Sequence, residues 1–113
     1  VNVLSDTIEL TSLLTLRDQE NIRIEAMNRV RLVIEKISLI NTSLDDVMEG
    51  WRLKRLPRID QDILRLAYVD IYNLKTPIPV TCNEAVNLAN RYSDDQGRKM
   101  INGVLRRLQT KSS

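Results

Sequence analysis

Three aspartates in the second half of the chain are the side chains best suited by type to acid–base or metal chemistry: Asp60, Asp62 and Asp70. On a helix, Asp60 and Asp62 would point about 200° apart, so these two carboxylates cannot meet at one substrate. The chain has no histidine and a single cysteine, Cys82. His-based triads, Cys/His zinc sites and an internal disulfide are therefore excluded. We predict a protein that is not an enzyme and that needs no metal or other cofactor.

Basic side chains suggest another kind of chemistry, the binding of a polyanion. The first fifty residues hold five basic and nine acidic side chains, whereas the remainder holds twelve basic and six acidic ones. Cations and a phenol flank one predicted turn between helices: Arg91, Tyr92, Arg98 and Lys99. This combination suits the binding of single-stranded RNA, because the cations neutralise phosphates and the aromatic ring stacks on unpaired bases. A solvated basic turn without a ligand explains the same residues equally well.

The elements that position these residues are predicted to be helices, because the apolar spacing is helical almost everywhere. Residues 18–41 form the first clear helix, with Asp18 as N-cap, and Asn41-Thr42-Ser43 is expected to end it. Its apolar stripe consists of Ile22, Ala26, Val30, Val33, Ile37 and Ile40. Ser43 then caps a short helix that ends near Gly50. We assign its apolar face to the core, including the only tryptophan: Leu44, Val47, Met48 and Trp51.

Three further helices follow. Residues 58–74 are apolar round much of the helix, which predicts a central and largely buried element. Two prolines in the segment 75–79 end it, and Thr81-x-x-Glu84 matches a capping box for the next helix. Turn-forming and acidic residues at 93–97 precede the last helix. Its predicted buried face is Met100, Ile101, Val104, Leu105 and Leu108.

Two short motifs in these helices receive structural interpretations. Asn83 and Glu84 lie at the head of a helix, where a cap explains Glu84 without any ligand. Asn102-Gly103 is unusual inside a helix, because glycine costs about 1 kcal/mol there relative to alanine. We expect Gly103 to allow a neighbouring helix to approach closely, with the Asn102 amide bonding exposed backbone groups.

Residues 18–108 are predicted to form one helical domain, preceded by a poorly periodic segment, 1–17, and followed by a frayed tail, 109–113. No apolar run approaches the roughly 18 residues of a membrane span, and no signal peptide is visible. These observations favour an intracellular, cytoplasmic protein without membrane contact.

The order of three motifs in the second half resembles the NusB family of transcription antitermination factors. These motifs are Asp60-x-x-Ile-Leu-Arg-Leu-Ala, Pro77-x-x-Val-x-x-Asn-Glu-Ala and Asn102-Gly-Val-Leu. The resemblance covers about residues 20–108. It implies an all-α, NusB-like helical bundle and a non-enzymatic role. Family members pair with NusE, a ribosomal protein, bind the boxA element of single-stranded nascent RNA, and help the RNA polymerase complex to read through terminators, notably in ribosomal RNA operons.

The resemblance also implies roles for individual residues. Asp60 falls at an acidic position near the partner surface, and Arg65 falls at an arginine near the RNA and partner surfaces. The RNA-binding set that we predict is Arg65, Arg91, Tyr92, Gln96, Arg98, Lys99 and Met100. Met100 and Gln96 depart from the family pattern, which often has phenylalanine and an acidic residue there. Methionine keeps an apolar contact but offers no aromatic face.

Residues 1–17 show nothing like the arginine-rich helix with which family members begin. We therefore expect an amino-terminally truncated family member with an apolar groove left open, to be filled by self-association or to remain destabilising. Two functional alternatives stay open at this point. One is a NusB-like accessory domain of a ribosomal RNA cytosine methyltransferase. The other is a protein-interaction module without RNA binding.

Overall fold

The structure, a computed structural model, describes the backbone of residues 3–112 and the side chains of residues 18–110. Helices make up most of this part of the chain, which contains no strand, and the predicted all-α fold is confirmed. In chain order they are α1 (Val3–Glu35), α2 (Ile37–Val47), a 3-10 turn (Leu53–Arg55), α3 (Arg58–Tyr72), α4 (Ile78–Tyr92) and α5 (Asp95–Ser112).

Helix α3 is the central element, because it packs against each of the other four α-helices. Leu64 and Val69 on α3 are fully buried, and Ile63 and Ala67 are at most 3% exposed. A helix with neighbours on several sides needs apolar residues round much of its girth, which is the pattern that predicted its position. On α5, the predicted face is also largely confirmed: Ile101, Val104, Leu105 and Leu108 are buried, and Met100 is half-buried.

The first break in the helices lies at Lys36, between α1 and α2, and the predicted break at residues 41–43 is wrong. Asp18 lies inside α1 and caps nothing, because the helix already begins at Val3. The backbone hydrogen bonds continue across the break, from the Lys36 N–H to the Leu32 carbonyl at 3.1 Å and from the Ile40 N–H to the Lys36 carbonyl at 2.9 Å. The two helices therefore follow each other with only a local distortion.

The polar trio at 41–43 stays helical, because two of its side chains bond to α3 and not to nearby backbone. The Thr42 hydroxyl donates to the Ser38 carbonyl at 2.9 Å, and Asn41 Oδ1 accepts from Arg65 at 3.0 Å. Tyr68 on α3 donates to Ser43 Oγ at 3.2 Å. Such residues break helices when their side chains compete for nearby backbone groups. Two of the three are instead used to join α2 to α3.

Trp51 is the largest departure from the predicted core. Helix α2 ends at Val47, and Gly50 turns the chain with φ +75°, a conformation that favours glycine. Leu44 and Met48 are buried as predicted, but the turn takes Trp51 off their face. Its side chain is 47% exposed, so the assignment of Trp51 to the core is wrong.

Helix α1 exposes several apolar side chains to solvent. Val33 and Ile37 are half-buried and Ile40 is fully buried, whereas Ile22 and Val30 of the same predicted stripe are exposed. Among the described side chains of α1, residues 18–35, the exposed large apolar ones are Ile22, Ile24, Met27, Val30 and Ile34. Self-association through such a surface stays a prediction. No helix within the described residues is both long and apolar enough to cross a membrane.

Candidate functional site

The corner between α4 and α5 is built by a local cap. Helix α4 ends at Tyr92, and α5 begins at Asp95. Asp94 Oδ1 accepts the Gly97 N–H at 2.7 Å, and the Asp94 carbonyl accepts the Arg98 N–H at 2.9 Å. An aspartate that accepts an N–H three residues further on is the usual start of a helix. The turn chemistry predicted at 93–97 therefore forms as a capped helix start.

Most of the predicted RNA-binding residues meet at this corner, which we call the α4–α5 corner and define as residues 91–100. Tyr92 is 59% exposed. Arg91, Gln96 and Lys99 are also exposed, and Met100 is half-buried. Arg98 is less free, because its guanidinium donates to the Ser93 carbonyl at 3.1 Å and pairs with the Asp95 carboxylate. The corner thus exposes one phenol, Tyr92, and two cations, Arg91 and Lys99, for which no ion pair is seen among the described residues.

Arg65 is the predicted RNA-binding residue that lies elsewhere. Its side chain is only 9% exposed on α3. The guanidinium donates to Asn41 Oδ1 at 3.0 Å, to Asp62 Oδ1 at 3.0 Å and to Gln61 Oε1 at 2.9 Å. The bond to Asn41 holds α3 to α2, and the three bonds together engage all three nitrogens of the guanidinium. The geometry gives Arg65 a positioning role inside the fold, and its contact with RNA stays a prediction.

A small pocket lies beside the corner, and Asp60 is on its wall. The pocket has a volume of about 130 Å³. Its lining residues are Trp51, Arg55, Leu56, Pro57, Asp60, Asp94, Gln96, Gly97 and Met100. Asp60 is 1% exposed, and neither of its carboxylate oxygens has a hydrogen-bond partner among the described residues. We call this site the Trp51 pocket. The sequence interpretation assigned Trp51 to the core and not to a site, although its position directly after Gly50 was a signal that the helix had already ended.

Close approach at a glycine occurs at Gly97, and the prediction that placed it at Gly103 is wrong. A Cβ added at Gly97 would lie 2.6 Å from Asp60 Oδ2, and closer still to Ser93 Oγ. A Cβ added at Gly103 would meet nothing within 4 Å among the described residues. Asn102 beside it is exposed. The buried side of α5 at this level is formed by Ile101 and Val104, so no neighbouring helix needs the glycine.

These two glycines make a matched pair for a stability measurement. We expect Gly97→Ala to lower the free energy of unfolding by about 1–2 kcal/mol, because the new methyl group must displace a buried carboxylate. Gly103→Ala should raise it by about 0.5–1 kcal/mol, because alanine favours the helix and fills open space. Urea denaturation followed by circular dichroism measures both. Equal effects of the two substitutions would contradict the packing at Gly97.

Glu84 does not close a capping box, because α4 begins three residues before Thr81. Pro77 precedes the helix and Pro79 lies in its first turn, where a missing N–H is tolerated. Glu84 instead pairs with Arg29 of α1. Thr81 is buried, and its hydroxyl has no partner among the described residues. Asn83 is exposed at the surface of α4.

Arg29 is the centre of an ion cluster that joins three helices. It donates to both oxygens of Asp70 on α3, at 3.0 and 2.8 Å, and to Glu84 on α4. Burial raises the pKa of Asp70, and the Glu84 charge adds to this, while the Arg29 charge and hydrogen bond oppose it. For Arg29, burial lowers the pKa, but the Glu84 hydrogen bond and the two carboxylates outweigh burial and raise it. The cluster fastens α1 to α3 and α4.

The described residues contain no group of three metal-ligating side chains within reach of one ion. Asp60, Asp62 and Asp70 take separate roles: a pocket wall, a partner of Arg65 and a partner of Arg29. The three aspartates that could do chemistry by type are therefore not brought together.

Comparison with known proteins gives a consistent result. The sequence profile of the NusB family matches residues 4–110. The chain is 48% identical over 110 residues to a protein of a Synechococcus species, covering 97% of this chain and 52% of that protein. It is 45% identical over 107 residues to a protein of Crocosphaera subtropica, covering 95% and 51%. Both are named transcription antitermination protein NusB. The chain thus spans about half the length of the curated relatives it matches.

The fold is similar to a solved structure as well. The structure of T. maritima NusB superposes with a TM-score of 0.72 at 34% sequence identity. The match covers 77% of this chain and 62% of that one. The predicted NusB-like arrangement of helices is confirmed by this likeness.

Proposed function

This chain belongs to the NusB family, and on that basis we propose that it acts in transcription antitermination. It binds boxA-type single-stranded RNA together with the ribosomal protein NusE and helps the RNA polymerase complex to read through terminators, notably in ribosomal RNA operons. The role is that of a binding factor and not of an enzyme. The curated relatives are named for antitermination, which favours this role over that of a methyltransferase accessory domain.

The observation that carries the RNA part of this proposal is the exposed Tyr92 at the α4–α5 corner, where Arg91 and Lys99 are exposed as well. A base stacks on an aromatic ring, and flanking cations neutralise the adjoining phosphates. Both groups are needed for single-stranded RNA, whose bases are unpaired and whose backbone is charged. The roles of Gln96, Arg98 and Met100 in this contact rest on their position in the same corner.

The NusE part of the proposal rests on Asp60. The resemblance places it at a partner surface, and its buried carboxylate has no donor among the described residues. An acceptor in this state is suited to a donor that arrives with a partner.

A titration of fluorescent boxA RNA tests the proposal, with and without NusE and with a scrambled RNA as reference. Tyr92→Ala should weaken binding by about 1–3 kcal/mol through lost stacking. Lys99→Gln should reduce the slope of log affinity against log salt by about 1, through one lost phosphate contact. Arg31→Gln, on the exposed surface of α1, is the control and should bind like the parent.

Each outcome of the titration has a separate meaning. Binding that prefers boxA, strengthens with NusE and falls with Tyr92→Ala supports the proposal. Binding of NusE without RNA leaves a protein-interaction module. Equal affinity for boxA and scrambled RNA, with no effect of NusE, contradicts the antitermination role.

A further inference from the structure

We propose that the outer face of α5 carries the RNA onward from the α4–α5 corner, with the phosphate backbone lying over Gly103. Arg106 and Arg107 supply the positive charge for these phosphates. This inference rests on the proposed function, because it extends the path of the same RNA. It adds three residues that are outside the RNA-binding set predicted from the sequence, and it names the phosphodiester backbone as their ligand.

The fold itself gives no reason for the glycine at position 103. Gly103 lies in the interior of α5, and its φ is outside the left-handed region that favours glycine. A Cβ at this position would meet nothing within 4 Å among the described residues, so no packed neighbour requires its absence. Glycine is the poorest helix former apart from proline. The reason that remains for a glycine is the close approach of a ligand to the helix backbone.

A groove lies over this glycine, and we call it the Gly103 groove. It has a volume of about 400 Å³, and its lining residues are Gly103, Arg106, Arg107 and Thr110. None of these is acidic. Arg107 is held in place, because its guanidinium donates to the Val47 carbonyl at 2.9 Å. Glu49 lies 3.9 Å from Arg107 but is 83% exposed, and so exposed an ion pair compensates little of the charge.

The charge of α5 favours an anion along this face. Arg106 is exposed, and its guanidinium has no ion pair or hydrogen bond within the part of the chain whose side chains are described. The one acidic residue in the sequence of α5 is Asp95 at its start, which pairs with Arg98. The groove is therefore positive, and a polyanion gains from releasing its counterions there.

The Gly103 groove is continuous with the α4–α5 corner. Lys99, Gly103 and Arg106 follow one another at steps of four and three, which places them on one face of α5. Lys99 already belongs to the corner. From Lys99 to Arg106 the face extends about 10 Å along the helix axis. A row of this length suits successive phosphates of one chain better than a single free anion.

The test compares RNA of two lengths on the full chain in the presence of NusE. One RNA is the boxA core, and the other is the same core extended with uridines at both ends. A third RNA has the extensions joined by methylphosphonate linkages, which carry no charge. The variants are Gly103→Gln, which fills the groove, and Arg106→Gln, which removes its free cation. Ser38→Gln, exposed on α2, and Arg31→Gln, exposed on α1, are the matched controls.

We expect the parent to bind the extended RNA about threefold to fivefold more tightly than the core, as for one or more added phosphate contacts. The uncharged extension should give no such gain. Arg106→Gln should abolish the gain and reduce the slope of log affinity against log salt by about 0.7. Its preference for boxA over scrambled RNA should not change, because phosphate contacts carry no sequence information.

Gly103→Gln should weaken binding of the extended RNA by about fivefold or more, since it excludes the backbone from both arginines. Its melting temperature should rise, because glutamine is a better helix former than glycine. A variant that is more stable and binds more weakly cannot owe its lost affinity to damage of the fold. Both controls should bind all three RNAs like the parent.

Contrary results separate this inference from the proposed function. If the parent prefers boxA but binds the core and the extended RNA equally, the path along α5 is overturned and the proposed function stands. Parent-like binding by Gly103→Gln has the same meaning. An equal gain from the uncharged extension replaces phosphate recognition by base contacts and overturns the inference. Weaker binding of NusE to Arg106→Gln without RNA assigns the groove to a protein and also overturns it. Failure of the parent to bind any of the RNAs overturns both proposals.

Discussion

Replacing Arg29 by methionine is expected to lower the free energy of unfolding by about 3 kcal/mol, because it leaves the buried Asp70 charge without a partner. The Asp70 side chain is 7% exposed, and that of Arg29 is 22% exposed. Methionine keeps much of the aliphatic volume of arginine, so the loss reports mainly on charge. Urea denaturation of both proteins at neutral pH measures the difference.

Arg31→Met is the matched control on the same helix. Arg31 is exposed and lies 3.8 Å from Glu35, so its loss should change stability by less than about 0.5 kcal/mol. The double variant with Arg29→Met and Asp70→Asn should recover much of the loss, since it removes both charges. If Arg29→Met is no worse than Arg31→Met, the cluster does not fasten α1 to α3 and α4.

The pH dependence of the Arg29 variant follows from the pKa of Asp70. Burial raises this pKa in the folded state above its unfolded value, and without Arg29 it rises further. A carboxyl with a raised folded pKa favours folding below its unfolded pKa, near 3.9, and loses this contribution as pH rises through the folded pKa. The difference in the free energy of unfolding between the parent and Arg29→Met should therefore become smaller as pH falls from 7 towards about 4. A difference that is constant or grows on acidification would contradict the view that the unpaired Asp70 charge causes the loss of stability.

Replacing Arg65 by methionine is expected to lower the free energy of unfolding by about 2 kcal/mol, because three hydrogen bonds of a buried guanidinium are lost. The acceptors are half-buried, and water can reach them after the change, which limits the loss. RNA affinity of the folded variant should stay within about twofold of the parent if Arg65 acts only by positioning. Denaturation and the boxA titration on the same sample measure the two effects.

Arg58→Met is the control for Arg65, because Arg58 lies 3.5 Å from the same Asp62. Its side chain is 82% exposed, so its removal should cost less than about 0.5 kcal/mol. A large loss of RNA affinity in Arg65→Met, with unchanged stability, would instead show that Arg65 reaches the RNA.

The buried faces of α3 and α5 could be predicted from the sequence, because helical periodicity is a local signal. Apolar residues three and four apart lie on one side of a helix in any protein. The α4–α5 corner was readable for the same reason, since its turn residues and flanking cations are neighbours in the chain. The sequence-based prediction was wrong where one residue type fits both a local role and a long-range contact. Glu84 fits a capping box by spacing alone, yet its partner Arg29 lies 55 positions away.

The sequence by itself determined the helical class, the central position of α3, the family resemblance, the absence of histidine and the presence of a single cysteine. Tertiary structure decided which polar side chains are available to a ligand. Arg65 is engaged by Asn41, 24 residues away, and Trp51 is exposed because the chain turns at Gly50. Periodicity places a side chain on one face of its own helix. Whether that side chain is buried, paired or free depends on what distant segments bring against that face.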